Sequence, residues 1–165
     1  MRYLAIFWGL GGVFCIIGSA VFRLTPYVVE AYSDQLTLFQ WLITIGWSVF
    51  MLVGEGYRGF QKQFSPRVVA RAKYLSENPK PLHVLLAPLF CMAFFHATKK
   101  RKIVTWSLTT GIIILIILVR QLPQPWRGIV DLGVILGLAY GLLWIVIFAV
   151  KCFGGGKFEV DPEVR

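Results

Sequence analysis

The groups in this chain able to move a proton, hold a metal or act as a nucleophile are few, and their spacing restricts them. The only histidines, His83 and His96, stand thirteen positions apart. On one straight helix that is ~20 Å of axial separation, too far for both to ligate one metal or haem. A hairpin at Pro88, between them, would bring them closer. They are expected to bond headgroups, water or backbone, with no metal and no cofactor. Cys15, Cys91 and Cys152 share no CxxC pair or common spacing, so they read as small apolar side chains rather than a bridge or a zinc site.

Carboxylates are equally sparse. Glu30 and Asp34 form an i, i+4 acidic patch. Glu55 has Arg58 three residues on, and Asp131 has Arg127 four residues back, so both are expected to form local ion pairs. No P-loop, HExxH, GxSxG or dinucleotide fingerprint occurs. An enzyme acting on a lipid headgroup would have only Glu55, His83 and His96 for proton handling. Catalysis is therefore the third expectation, not the first.

The charge distribution says more. The chain carries a net charge of +9, and residues 54–102 alone hold ten Lys/Arg against Glu55 and Glu77. Within that block, Ser65-Pro66 is a helix start and Asn78-Pro79 a stop. Between them Val68, Val69, Ala72 and Leu75 cluster on one face, flanked by Arg67, Arg71 and Lys73. This pattern predicts an amphipathic helix on the inner leaflet, its basic heads reaching phosphates. Arg58, Lys62, Arg67, Arg71, Lys73, Lys99, Lys100, Arg101 and Lys102 are the residues expected to bind anionic lipid or an acidic partner, at ~1 kcal/mol per charge near the surface. No nucleic-acid-binding fold accompanies them, so nucleic acid is not an expected partner.

What must position these groups is a membrane-embedded chain. At 57% hydrophobic, 15% charged and a mean hydropathy of +0.69, the composition is far from the roughly 45–50% and 25% of soluble domains. Crossing ~30 Å of hydrocarbon takes about 20 apolar residues in a helix, and a lone strand would leave its backbone unpaired in lipid. Residues 3–22, 36–53, 103–119 and 129–150 qualify as spans. The first exceeds the ~7–15-residue core of a signal peptide and is expected to be retained.

Residues 82–97 are apolar but short and interrupted by Pro88. If they do not cross, Lys/Arg divides 14 to 3 between the two sides; if they cross, it divides 9 to 8. The positive-inside rule selects the first arrangement. The expected protein is thus a single all-α membrane domain with four transmembrane helices in a compact bundle and both termini cytoplasmic. Its basic segment 54–102 carries the amphipathic helix and a re-entrant or interfacial hairpin, and 151–165 forms a short tail. The expected location is a plasma or bacterial inner membrane.

In lipid, helices associate through small residues and packing rather than hydrophobic drive. Gly133, Gly137 and Gly141 make a doubled GxxxG on the last span, expected to pack within the bundle. Gly11, Cys15 and Ser19 make a similar stripe on the first, with Ser107 and Gly111 on the third and Gly46 on the second. The leading expectation is a small non-catalytic accessory, assembly or regulatory subunit, in a larger membrane complex or as a homo-oligomer. The alternative is a small oligomeric transporter or anion channel; the absence of a charge deep in any span counts against ion coupling.

Overall fold

The computed structural model describes residues 2–33, 35–156 and 158–164. Asp34, and with it the patch expected beside Glu30, lies outside the described residues, as do Lys157 and Arg165. The described chain is helical, with one isolated bridge between Ala97 and Val164. Four helices are long and apolar enough to cross a bilayer: Tyr3–Ser33, Leu38–Glu77, Lys99–Val119 and Trp126–Phe153.

The first helix, α1 (Arg2–Ser33), continues eleven residues past the expected end at 22. A charge such as Arg23 marks where hydrocarbon ends, not where backbone hydrogen bonding ends. Pro26 lies inside α1, and the Thr25 hydroxyl bonds the Val21 carbonyl (2.8 Å) one residue before it. The extension has a place to pack. Gly128 lets the Tyr27 carbonyl and Ala31 press against the start of the last helix, and the Arg127 guanidinium lies 3.5 Å from the Tyr27 ring centroid.

The second membrane-length helix is built from three parts. Helix α2 (Leu38–Met51) opens on a capping box, in which Gln40 N donates to Thr37 Oγ1 (3.3 Å) and Thr37 N to Gln40 Oε1 (2.8 Å). A π-helical segment, Leu52–Phe64, follows without a break and leads into α3 (Ser65–Glu77). Two short helices, α4 (Pro81–Leu85) and α5 (Ala87–Cys91), occupy most of the interrupted apolar stretch. Then come α6 (Lys99–Val119) and α7 (Trp126–Phe153).

The glycine stripe of α7 is spent inside the molecule. Gly133 faces Trp47, whose Nε1 donates to the Val130 carbonyl (3.2 Å). Gly137 faces Glu55, and Gly141 faces Phe60 while its carbonyl accepts from Ser65 Oγ (3.2 Å). The α1 stripe chosen from sequence is not used in this way: Gly11 has no neighbour within 4 Å of a built Cβ, and Cys15 and Ser19 are exposed. The packed face of α1 is instead Ala5, Gly9, Gly12 and Val13, with Gly9 against Cys91 and Gly12 against Pro88.

Helix α3 departs from expectation in the same sense. Val68, Val69, Ala72 and Leu75 are all buried, joining Val13, Ile17, Ile145, Ala5 and Phe90 in the core rather than facing lipid. Ser65, Ala70, Arg71 and Ser76 are buried as well, so the covered surface of α3 is wider than the expected arc, and protein occupies the place assigned to acyl chains. Nor are the four long helices equally packed. No residue of α6 is buried. Its Ile and Leu surround it on all sides, and neither Gly46 nor Gly111 has a neighbour within 4 Å. The small-residue stripe expected at Ser107 and Gly111 is exposed and meets no other helix among the described residues.

The ends of these elements gather at two poles. One holds the start of α1, the end of α3, α4–α5, the start of α6 and the C-terminal tail. Trp8 Nε1 donates to the Leu85 carbonyl (3.0 Å), and Thr98 N to the Glu163 carbonyl (3.2 Å). The other holds the end of α1, the starts of α2 and α7, and Gln124, whose Nε2 reaches Glu30 Oε2 (3.1 Å) and the Tyr27 carbonyl (3.0 Å).

Candidate functional site

At the basic pole the largest organised polar group is built around Arg71. The residue is 1% exposed. Nε donates to the Phe90 carbonyl (2.6 Å), Nη1 to Pro162 (2.9 Å), and Nη2 to Phe95 and His96 (both 3.1 Å), while the plane lies 4.4 Å from the Phe90 ring centroid. One side chain therefore ties α3 to the loop after α5 and to the C-terminal tail. Arg71 does not reach headgroups as expected. Four of the five donors of its planar fork go to backbone carbonyls, and the buried side of α3 is where the chain needed such a fork.

The same fold brings His83 and His96 together, with ring centroids 4.7 Å apart; both also stack near Phe90. The chain reversal after α5, where Ala93 (φ +65°) and His96 (φ +50°) are left-handed, achieves what a straight helix would not. Partial burial pushes His83 below its ordinary range, with His96, Lys80 and Arg71 adding repulsion; His96 is lowered by burial and by Lys80, Arg71 and Lys102. Because the folded state holds these rings neutral, there is no penalty above pH ~6.5. Below that value the unfolded hairpin takes up protons first, and stability falls as the pH drops toward the lowered folded values. Hydrogen-exchange protection of residues 83–96, taken relative to the intrinsic rate at each pH, is expected to fall between pH 7.5 and 5, and a His83→Asn, His96→Asn double variant should lose that dependence.

Between α6 and the rest of the protein runs a cleft of about 430 Å³. This lies within the ~300–1,000 Å³ typical of small-molecule sites. Val104, Leu108 and Ile112 of α6 form one wall; Ile17, Phe60, Phe64 and Leu138 face them. The cleft is mostly apolar; Gln63, Arg67, Arg101 and Glu163 border it at the basic pole, and Glu55, Thr105 and Thr109 add polar groups further along. Helix α6 is held there by the Arg101–Glu163 ion pair, by Thr105 Oγ1 to the Met92 carbonyl (3.5 Å), and by Trp106 against Phe94 (centroids 5.4 Å). Beyond these ties, α6 stands off the bundle.

The other sequence-selected residues fall as follows. Lys99, Lys100 and Lys102 are exposed at the basic pole, and Arg58 and Lys62 are exposed on the π-helical segment that packs along the middle of α7; Arg67 and Lys73 are half-buried. Lys62 Nζ lies 4.6 Å from the Tyr57 ring centroid, and Arg67 bonds Gln63 one turn back. The expected Glu55–Arg58 pair is absent among the described residues. Glu55 Oε2 is turned inward without a hydrogen-bond partner, within 3.0 Å of a Cβ built on Gly137. In an i→i+5 helix, residues three apart no longer share the face they share at 3.6 residues per turn. Arg127 Nε lies 3.8 Å from Asp131 Oδ2 at the opposite pole. No group of three or more His, Cys, Asp or Glu able to hold a metal occurs among the described residues.

Sequence reasoning passed over Glu163 altogether. Its signal was present: Glu159, Asp161 and Glu163 place three of the eight acids in the last seven residues of a chain whose middle is strongly basic.

The fold and cleft together define an all-helical protein with four helices of membrane-crossing length and a laterally open groove, polar at one end. Compared with family models, curated proteins and solved structures, the chain matches none of them.

Proposed function

We propose that this chain is a non-catalytic multi-pass membrane protein, an accessory or regulatory subunit, that binds an anionic phospholipid in the cleft beside α6. The observation carrying this is the cleft itself: apolar where it runs along α6, cationic where Arg67 and Arg101 border it. An acyl chain fits the first part and a phosphate the second, since Arg presents paired donors suited to phosphate oxygens. Lys99, Lys100 and Lys102 stand exposed on the same helix end and add attraction to anionic lipid.

The basic pole is the cytoplasmic side on this reading, with both termini there. The charge asymmetry of the sequence supports it, as does the clustering of the α1 start, α6 start and C-terminal tail at one pole. The segment 82–97, whose two histidines meet, is then a hairpin returning to its own side, and the host membrane is a plasma or bacterial inner membrane.

Filling the apolar part of the cleft tests the proposal. Leu108→Trp, at an exposed position of a helix with no buried residue, is expected to leave folding intact. It should lower retention of phosphatidylglycerol roughly tenfold, the ratio produced by about 1.4 kcal/mol of lost contact. Native mass spectrometry of protein released from mixed phosphatidylcholine–phosphatidylglycerol nanodiscs measures it. Equal retention by Leu108→Trp and the parent protein would refute the cleft as the lipid site.

A further inference from the structure

Arg101 already carries an anion. Glu163 meets it at two points, Oε2 at Nε and Oε1 at Nη2 (3.2 Å), and Glu163 itself borders the cleft. Two parallel N–H···O bonds from a guanidinium are also how arginine takes a phosphate. The carboxylate therefore sits where the phosphate of a cleft-bound lipid would go.

We propose that the C-terminal tail is an internal competitor for the headgroup site, its Glu163 side chain exchanging on Arg101 with the phosphate of an anionic phospholipid. The inference rests on the cleft being a lipid site, and adds to it the headgroup's position and a means of control. When lipid enters, the Glu163 side chain leaves Arg101 and the tail loosens around its remaining anchors; when Glu163 is seated, the basic end of the cleft is closed.

Three features make the tail an exchangeable occupant rather than a fixed wall. Glu163 has φ +48°, a left-handed conformation that disfavours a residue with a Cβ. Between the tail and α3 lies a second cavity of about 230 Å³, bordered by Lys73, Tyr74, Phe158 and Val160, so this stretch is not densely packed. The remaining ties are Arg71 to the Pro162 carbonyl, Thr98 N to the Glu163 carbonyl, the Ala97–Val164 bridge, and the packing of Phe158 on Phe148 (centroids 6.0 Å) and of Val164 on the core. These ties do not need the Glu163 charge, so neutralising it removes the competitor while leaving the tail's backbone anchors in place.

The test uses the full chain in phosphatidylcholine nanodiscs with increasing phosphatidylglycerol. Lipid retention is read by native mass spectrometry, and tail release by hydrogen exchange of residues 158–164. Glu163→Gln is expected to hold phosphatidylglycerol roughly three- to tenfold tighter, since a half-exposed ion pair that opposed binding is gone. Glu159→Gln, which removes the same charge from the tail but breaks no bond to Arg101, should show no such gain. In the parent protein, phosphatidylglycerol should quicken exchange of the tail; in Arg101→Gln it should be held more weakly and leave tail exchange unchanged.

Unchanged or weaker retention by Glu163→Gln, with Leu108→Trp still impaired, would overturn competition by the tail and leave the cleft reading standing. Equal retention by the parent and Leu108→Trp would overturn both. Tail release by inorganic phosphate alone, as complete as with phosphatidylglycerol, would overturn the assignment to a lipid.

Discussion

Arg71→Met is expected to cost about 3–5 kcal/mol of stability and to loosen the hairpin and the C-terminal tail together. Four carbonyls accept from this guanidinium. Ala93 N also donates to the Phe90 oxygen (3.0 Å), which therefore keeps a partner. Those of Phe95, His96 and Pro162 lose the Arg71 donors. At ~1–3 kcal/mol for each buried polar group left unsatisfied, with some regained from water, the stated range follows. The stacking of the guanidinium on Phe90 is lost as well.

Arg71→Lys should not restore the protein. An ammonium is a compact point donor and does not span carbonyls on two separate segments as the fork does. Arg67→Gln provides the contrast. That side chain is half-buried and bonds only its own helix, so the change should fall within about 1 kcal/mol. Denaturant unfolding in detergent gives the energies, and hydrogen exchange shows where the structure opens. A parent-like midpoint for Arg71→Met, with exchange of 90–97 and 158–164 unaltered, would show that the clamp carries no such energy.

The contrast between these two arginines explains what was legible in the sequence. Membrane-length helices are visible because lipid forces long unbroken apolar runs. The asymmetry of Lys and Arg likewise foreshadowed one pole on which α3, α4–α5 and the start of α6 meet. Helix α3 showed its apolar arc and its flanking Ser65-Pro66 and Asn78-Pro79 signals. A one-dimensional pattern does not say whether such an arc meets lipid or protein, because both accept Val68, Ala72 and Leu75 equally. Arg71 was misplaced for that reason. The same limit hid Gly9 and Gly12: every fourth-residue stripe on α1 has equal standing until Cys91 and Pro88 arrive across it. Glu55 was misread because local pairing rules assume 3.6 residues per turn, and the π-helical segment breaks that assumption. The cleft depends on how far α6 stands from its neighbours, a quantity that depends on packing rather than on apolar content.

The α7 glycines allow a second large effect, and here two opposing terms can be weighed. Within a helix, Gly→Ala is ordinarily favourable by up to about 1 kcal/mol, through helix propensity and reduced freedom of the unfolded chain. Overpacking a filled interface costs ~1–3 kcal/mol, occasionally more. At Gly141 a built Cβ falls onto the body of the Phe60 ring, whose free side is the cleft beside α6, and retreat into it would cost the ring its contact with Phe64 (centroids 5.2 Å). The steric term wins, and Gly141→Leu is expected to destabilise the protein by about 3 kcal/mol or more by pushing the π-helical segment away from α7. Ser65 Oγ would then lose the Gly141 carbonyl. Gly133→Leu should act similarly through Trp47 and its bond to Val130. At Gly11, Gly46 and Gly111, where no neighbour lies within 4 Å, only the propensity term operates, and alanine should be neutral or slightly stabilising. The comparison is made by thermal unfolding in one detergent. If Gly141→Leu and Gly111→Ala melted alike, the α7 seam would not be the surface that holds the second membrane-length helix in place.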